Sequence, residues 1–204
     1  MKFGELKIEC IRIIDEEADE MSLENLTEFE QDEQYADLFR RMPGAINRAL
    51  TRVASRKKLP IKTIELTECE KYGSFLHFDL KKVPDFKNVS EVFLIHESGY
   101  VVHDLTYEKS GSMLLLASPM GNCKLMLAYY PKAPTFSVST DNNLEIDLPD
   151  EIVYNLPYFV YSEIYEREQP ELSASARNKF ELALDELDIN EPSEIKIVND
   201  YRIE

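Results

Sequence analysis

The chain has 204 residues, a net charge of −16 and a hydrophobic content of 44%, which is ordinary for a globular protein with a sizeable core. Its acidic balance argues against a general nucleic-acid-binding protein, because neutralising phosphates requires a basic surface. No stretch approaches the roughly 18 apolar residues of a membrane span, and no apolar signal core follows Met1. Three widely separated cysteines without a CxxC pair favour reduced thiols in a cytoplasm-like compartment.

The N-terminal part of the chain has helical periodicity. Apolar residues recur at near-3.6 spacing from Phe3 to about Met21, which predicts an amphipathic helix. A second helical pattern covers 32–41. We expect it to kink or restart at Pro43, because proline suits a first helical turn, and to continue to about Lys57.

Basic residues are concentrated in 40–62, a stretch that contains no Asp or Glu. We expect this block to face acids, either in this chain or on a neighbour. Within it, Arg48, Arg52 and Arg56 lie four residues apart and share one helix face. Three interpretations of this stripe stay open: a solvated face, pairing with acids of another subunit, or contact with nucleic acid. A guanidinium fork suits carboxylates and phosphates alike.

From Ile61 onward, the period of the apolar residues changes to two, which predicts β-strands. The predicted strands are 61–69, 74–80, 90–96, 100–105, 112–117, 124–130 and 144–148. Turn residues separate them at roughly ten-residue spacing, which is typical of an antiparallel sandwich or barrel-like sheet.

Helical periodicity returns after Pro149. An apolar stripe continues to Tyr165 and contains Pro157, which predicts a kink or restart near Leu156. A second helix is predicted at 171–187. The residues beyond it contain too few apolar side chains for a core and are predicted to form an extended arm.

These elements predict an α+β protein in which neither helical end can bury itself alone. Residues 1–60 and 149–189 are expected to form one helical bundle. Residues 61–148 would be an inserted antiparallel β-sandwich or barrel-like domain, and residues 190–204 the C-terminal arm.

Signatures of catalysis and of metal or cofactor binding are absent from the sequence. There is no GxGxxG motif and no Walker loop, and His77, His96 and His103 form no HxH or HExxH motif. The acids of 141–147 alternate somewhat like a calcium loop, but Ile146 stands where that loop needs glycine. We therefore expect no enzyme, no catalytic residue, no metal and no cofactor. A Ser–His–Asp arrangement stays open, because its members need only meet in space.

Several phrases resemble the head–tail connector family of tailed phages, the portal adaptors that are similar to tail tubular protein A. The phrase Met42-Pro43-Gly44-Ala45-Ile46-Asn47-Arg48 is similar to an MPG-x-IN-R segment near the start of these proteins. Residues 148–151, 156–159 and 168–178 resemble their C-terminal helical hairpin, and 178–184 fits its closing N-x-F/Y-E-x-A-L pattern. Residues 128–135 resemble their "YY…P" exit from the sheet.

The resemblance implies a non-enzymatic virion subunit that is assembled in the bacterial host cytoplasm. Such adaptors form a homo-oligomeric ring, often a dodecamer, which docks on the portal protein and joins the DNA-filled capsid to the tail or to further neck proteins. DNA would be only passing cargo, and no membrane is involved. The arm would dock into the portal, and its expected anchors are Ile195, Ile197, Val198, Tyr201 and Ile203.

A ring contact is heterologous, so one face of the subunit must complement a different face. The residues expected at this subunit interface are Arg40, Arg41, Arg48, Arg52 and Arg56. An alternative hypothesis from another class is a β-sandwich module that binds a glycan or a protein and uses the helices as a stalk. The absence of Trp counts mildly against a glycan site.

Overall fold

The computed structural model describes residues 1–15, 19–103, 105–117 and 123–187. Helices lie at both ends of this range and antiparallel strands lie between them, so the predicted α+β class is confirmed. The helices are α1 (Phe3–Ile14), α2 (Leu26–Gln31), α3 (Ala36–Ser55), α4 (Asp150–Val153), α5 (Leu156–Ile164) and α6 (Pro170–Glu186). The strands are β1 (Lys62–Glu65), β2 (Glu70–Tyr72), β3 (Phe75–Asp79), β4 (Phe86–His96), β5 (Val101–Val102), β6 (Tyr107–Ser110), β7 (Met113–Ala117) and β8 (Cys123–Pro131).

Helix α1 ends earlier than its apolar pattern predicts. Phe3, Leu6 and Cys10 are fully buried on one face, as the spacing requires. The backbone becomes extended at Asp15, whose carboxylate accepts a hydrogen bond from the Tyr35 hydroxyl at 2.7 Å. The predicted continuation to Met21 is therefore wrong.

Helix α3 runs without a restart through Pro43, contrary to expectation. An interior proline costs about 3 kcal/mol because it removes one backbone hydrogen bond. Burial of Met42, Ile46 and Leu50 on the same face offsets that cost. The predicted kink or restart near Leu156 is confirmed as a restart, since α4 and α5 are separate helices and Pro157 lies in the first turn of α5.

The strands form two four-stranded antiparallel sheets, in the orders β1-β8-β4-β5 and β2-β3-β7-β6. Strands β2 and β6 were not predicted. The predicted strand at 144–148 does not form. Its backbone bonds to the start of the chain instead, through Phe3 N–H to Leu144 O at 2.8 Å and Ile146 N–H to Met1 O at 3.0 Å.

The buried apolar residues form two clusters. One contains side chains from helices at both ends of the chain, such as Phe3, Leu50, Phe159 and Phe180. The rings of Phe159 and Phe180 pack edge to face, with their centroids 5.0 Å apart. The other cluster combines residues of both sheets, so the helical part and the β-region have separate cores.

Candidate assembly interface

The arginine stripe of α3 contacts the C-terminal helices of the same chain. Arg48 Nε donates to Glu163 Oε2 of α5 at 2.8 Å. Arg52 donates to both carboxylate oxygens of Glu181 on α6, at 2.9 and 3.0 Å. Two parallel hydrogen bonds of this kind fix both side chains in one geometry.

The contact continues one helical turn further. Arg56 donates to Asp185 at 2.9 Å and to Glu181 at 3.1 Å. Arg52 and Arg56 are four residues apart on α3, and Glu181 and Asp185 are four residues apart on α6. The matched spacing lets charges on successive turns meet across the two helices.

Glu163 joins two arginines from different helices. It accepts hydrogen bonds from Arg48 and from Arg177 of α6, and the guanidinium carbon of Arg177 lies 3.8 Å from the ring centroid of Phe159. Partial burial raises the pKa of Glu163, but the hydrogen bonds from Arg177 and Arg48 outweigh it, so the pKa is below its ordinary value.

The pairing of Glu181 with Arg52 shifts both groups toward their charged forms. The hydrogen bond from Arg52 is the largest cause of the lowered pKa of Glu181. The same hydrogen bond raises the pKa of Arg52. The pair therefore stays ionised over a wide pH range.

These contacts bear on the interpretations of the basic stripe. The side chains of Arg48, Arg52 and Arg56 pair with acids of their own chain, yet 60%, 43% and 40% of their surfaces stay exposed. Exposed ion pairs contribute about 0–1 kcal/mol each to folding stability. The pairs with α5 and α6 are therefore weak enough for these arginines to bind other carboxylates instead. Their participation in a subunit interface stays a prediction.

Arg40 and Arg41 lie near the start of α3. Arg41 donates to the carbonyl of Ile164 at 2.9 Å. Arg40 lies 3.7 Å from the carboxylate of Asp37, one turn away, and its side chain is 70% exposed. Of the five predicted interface arginines, Arg40 is the most available to a neighbour.

A buried lysine that the sequence analysis missed also joins distant parts of the helical core. Lys7 is 2% exposed, and its ammonium donates to Glu30 at 2.8 Å and to Asn142 Oδ1 at 2.9 Å. It also lies 4.7 Å from the ring centroid of Phe3. In the sequence, the signal for its burial is that Lys7 follows Phe3 by four residues, on the apolar face of the helix.

A groove lies where the helical part meets the β-region. It has a volume of about 990 Å³ and is lined by Leu59 and Pro60, by 131–136 at the end of β8, and by 144–149. On its wall, the Asp85 carboxylate accepts hydrogen bonds from Lys62 and Tyr129. Burial and the bond to Asp85 raise the pKa of Tyr129 to about 12.

The predicted arm and its anchors, Ile195, Ile197, Val198, Tyr201 and Ile203, lie outside the described residues. The last described residue before the arm is Leu187, and its carbonyl accepts a hydrogen bond from the Lys58 ammonium. The described part of the chain therefore ends close to the end of α3.

The described residues contain no group of three or more His, Cys, Asp and Glu side chains placed to hold a metal ion. His103 Nδ1 lies 2.6 Å from Glu91 Oε1, and both side chains are exposed on the β-region. None of the described helices is both long and apolar enough to cross a bilayer. A scan against protein-family models matches no family, and a search of curated proteins finds no match.

Proposed function

We propose that this protein is a structural, non-enzymatic virion subunit: a ring-forming head–tail adaptor that docks on the portal and joins the DNA-filled capsid to the tail. The observation that carries the proposal is the shared helical core. Helices from both ends of the chain pack into one hydrophobic cluster. In the connector family that this chain resembles, the helical bundles of neighbouring subunits pack side by side.

The finer architecture is part of the proposal. A helical bundle from both chain ends would carry an antiparallel β-sandwich inserted between α3 and α4, with the arm leaving after α6. The separate cores of the two parts support this division. The ion pairs of α3 with α5 and α6 would fasten the two halves of the bundle together.

Charge supports a channel role. The chain carries −16, and an acidic channel wall repels phosphates, so DNA can pass without being held. The arm would dock onto the portal by adding a strand or filling a groove.

Electron microscopy of the purified full chain, alone and with the portal protein encoded in the same genome, tests the proposal. We expect closed rings with a central channel, alone or seated on the portal. Particles that stay monomeric under both conditions would contradict it.

A second candidate function is supported by one face of the sheet β2-β3-β7-β6. Tyr72 and Phe75 are cross-strand neighbours there and are 59% and 53% exposed. Exposed aromatic rings can bind a glycan or a protein. A glycan array with the full chain and with its Tyr72→Ala variant tests this; a specific signal lost in the variant would favour the binding module over the adaptor.

A further inference from the structure

A pocket in the β-region is lined by four lysines: Lys81, Lys87, Lys109 and Lys132. It has a volume of about 440 Å³, and none of the described residues that line it is acidic. In a chain of net charge −16, such a group of like charges is unexpected. A concave surface of one charge sign concentrates the electrostatic potential and attracts an oppositely charged ligand.

Contacts to uncharged groups hold two of these lysines in place. The Lys109 ammonium lies 5.2 Å from the ring centroid of Phe86. The Lys132 ammonium donates to the carbonyl of Pro84 at 3.1 Å. Neither contact neutralises the positive charge.

Other lysines of the β-region are neutralised by carboxylates. Lys62 pairs with Asp85 at 2.9 Å, Lys82 with Glu68 at 2.7 Å and Lys124 with Glu65 at 3.3 Å. Within the described parts of the chain, no ion pair joins any of the four pocket lysines to a carboxylate. As far as the described residues go, no ion pair neutralises the positive charge of the pocket.

The same chain carries a complementary surface. Residues 19–34 contain seven carboxylates and no Lys, Arg or His. Glu30 of this acidic segment pairs with Lys7. The others are exposed, and they are Asp19, Glu20, Glu24, Glu28, Asp32 and Glu33.

The acidic segment and the lysine pocket belong to different parts of the subunit. Met21 and Leu26 anchor the segment in the helical core, whereas Leu80 and Phe86 beside the pocket belong to the core of the β-region. Among the described residues, no ion pair connects the two surfaces. Each copy thus offers one positive and one negative surface.

We infer that the lysine pocket binds the acidic segment 19–34 of a second copy of this chain. The inference rests on the proposed ring assembly, and it supplies the heterologous contact that a ring requires. Such charged contacts accelerate association and fix its register, and salt weakens them. A DNA backbone is the weaker candidate, because the whole chain repels it.

Two charge-reversal variants test the contact. The pocket variant is Lys87→Glu with Lys109→Glu, and the segment variant is Glu28→Lys with Glu33→Lys. All four side chains are outside both cores, so both variants should fold, which unchanged thermal unfolding would verify. The matched control, Lys71→Glu with Lys179→Glu, changes the same charge at exposed positions outside the pocket, and Lys179 lies over the ring of Tyr158 as Lys109 lies over that of Phe86.

Self-association of the full chain is measured by sedimentation at several salt concentrations. We expect each variant alone to lose at least about tenfold in association constant. An equal mixture of the two should recover association in part, because the two reversed pocket side chains can then meet the two reversed segment side chains, and the other contact of each pair of copies keeps its wild-type charges. The control should associate like the wild type.

Variants that each associate like the wild type, or a mixture that fails to recover, would overturn the inference while leaving the ring proposal standing. A wild type that stays monomeric at every concentration would overturn the inference, and rings seen only on the portal would still support the adaptor. A double-stranded DNA oligonucleotide that binds the wild type but not the pocket variant would also overturn it, by assigning the pocket to phosphates.

Discussion

The helical part and the β-region are stabilised in different ways. In the helical part, ion pairs and buried side chains connect residues more than a hundred positions apart, such as Arg52 with Glu181 and Lys7 with Asn142. In the β-region, stability comes from strand pairing over a smaller core. The β-region also exposes aromatic rings and unpaired lysines on its surface.

This difference suggests a division of roles. The helical part joins the two ends of the chain, so its integrity depends on contacts that no local segment can make alone. The β-region presents its surface features to other molecules, so substitutions on that surface should change binding more than folding. Three substitutions or pH changes in the helical part, from the largest expected effect to the smallest, should therefore change folding, whereas the pocket variants of the β-region should change association alone.

The largest effect is expected where the two chain ends share their core. Phe180 is 1% exposed and packs on Phe159. Phe180→Ala should lower the free energy of unfolding by about 3–5 kcal/mol, because it leaves a cavity in the core. Thermal denaturation should show a drop of roughly 10 °C. Leu182→Ala, at a position that is 63% exposed on the same helix, should leave the melting temperature nearly unchanged.

An intermediate effect is expected at the buried lysine. Lys7→Met keeps the length of the side chain but removes the ammonium that donates to Glu30 and to Asn142 Oδ1, so that Glu30 keeps only the weaker contact from the Asn142 amide at 3.2 Å among the described hydrogen bonds. The cost should be about 2–4 kcal/mol in urea denaturation. Adding Glu30→Gln should recover part of it, and Lys2→Ala on the surface serves as the control. A Lys7→Met protein as stable as the wild type would show that the lysine does not support the joined ends.

A smaller effect is expected from pH. The pKa values of Glu163 and Glu181 are lowered in the folded protein, so their contribution is fully present above the ordinary glutamate pKa of 4.5. It is lost as the pH falls below that value and through the folded pKa values, because protonation breaks the pairs with arginine. The melting temperature should therefore fall more steeply below this pH in the wild type than in Glu181→Gln. Identical profiles would mean that the pairs of Glu181 with Arg52 and Arg56 do not stabilise the fold.

The sequence predicted the features that depend on local periodicity. The position of α6 and the break near Pro157 follow from apolar spacing and proline chemistry. The continuity of α3 through Pro43 could not be predicted, because it depends on burial against α5. Strands β2 and β6 were missed because they are exposed edge strands without an apolar alternation. Residues 144–148 do alternate between apolar and polar side chains, but their backbone is hydrogen-bonded to the distant N-terminus.

The candidate interface was predictable only in part. Four-residue spacing placed Arg48, Arg52 and Arg56 on one face of a helix, and the structure has them there. Their partners on α5 and α6 could not be identified, because pairing across more than a hundred residues depends on the fold. The lysine pocket was equally hidden, since its members come from separate strands and turns.

The most direct test of the central claim compares the full chain with a chain that ends at residue 191, each mixed with the portal protein of the same genome. We predict that both proteins have the same melting temperature, since the shared helical core lies before the cut. We also predict that only the full chain sediments with the portal. A shortened protein that still binds the portal, or one that no longer folds, would contradict the account.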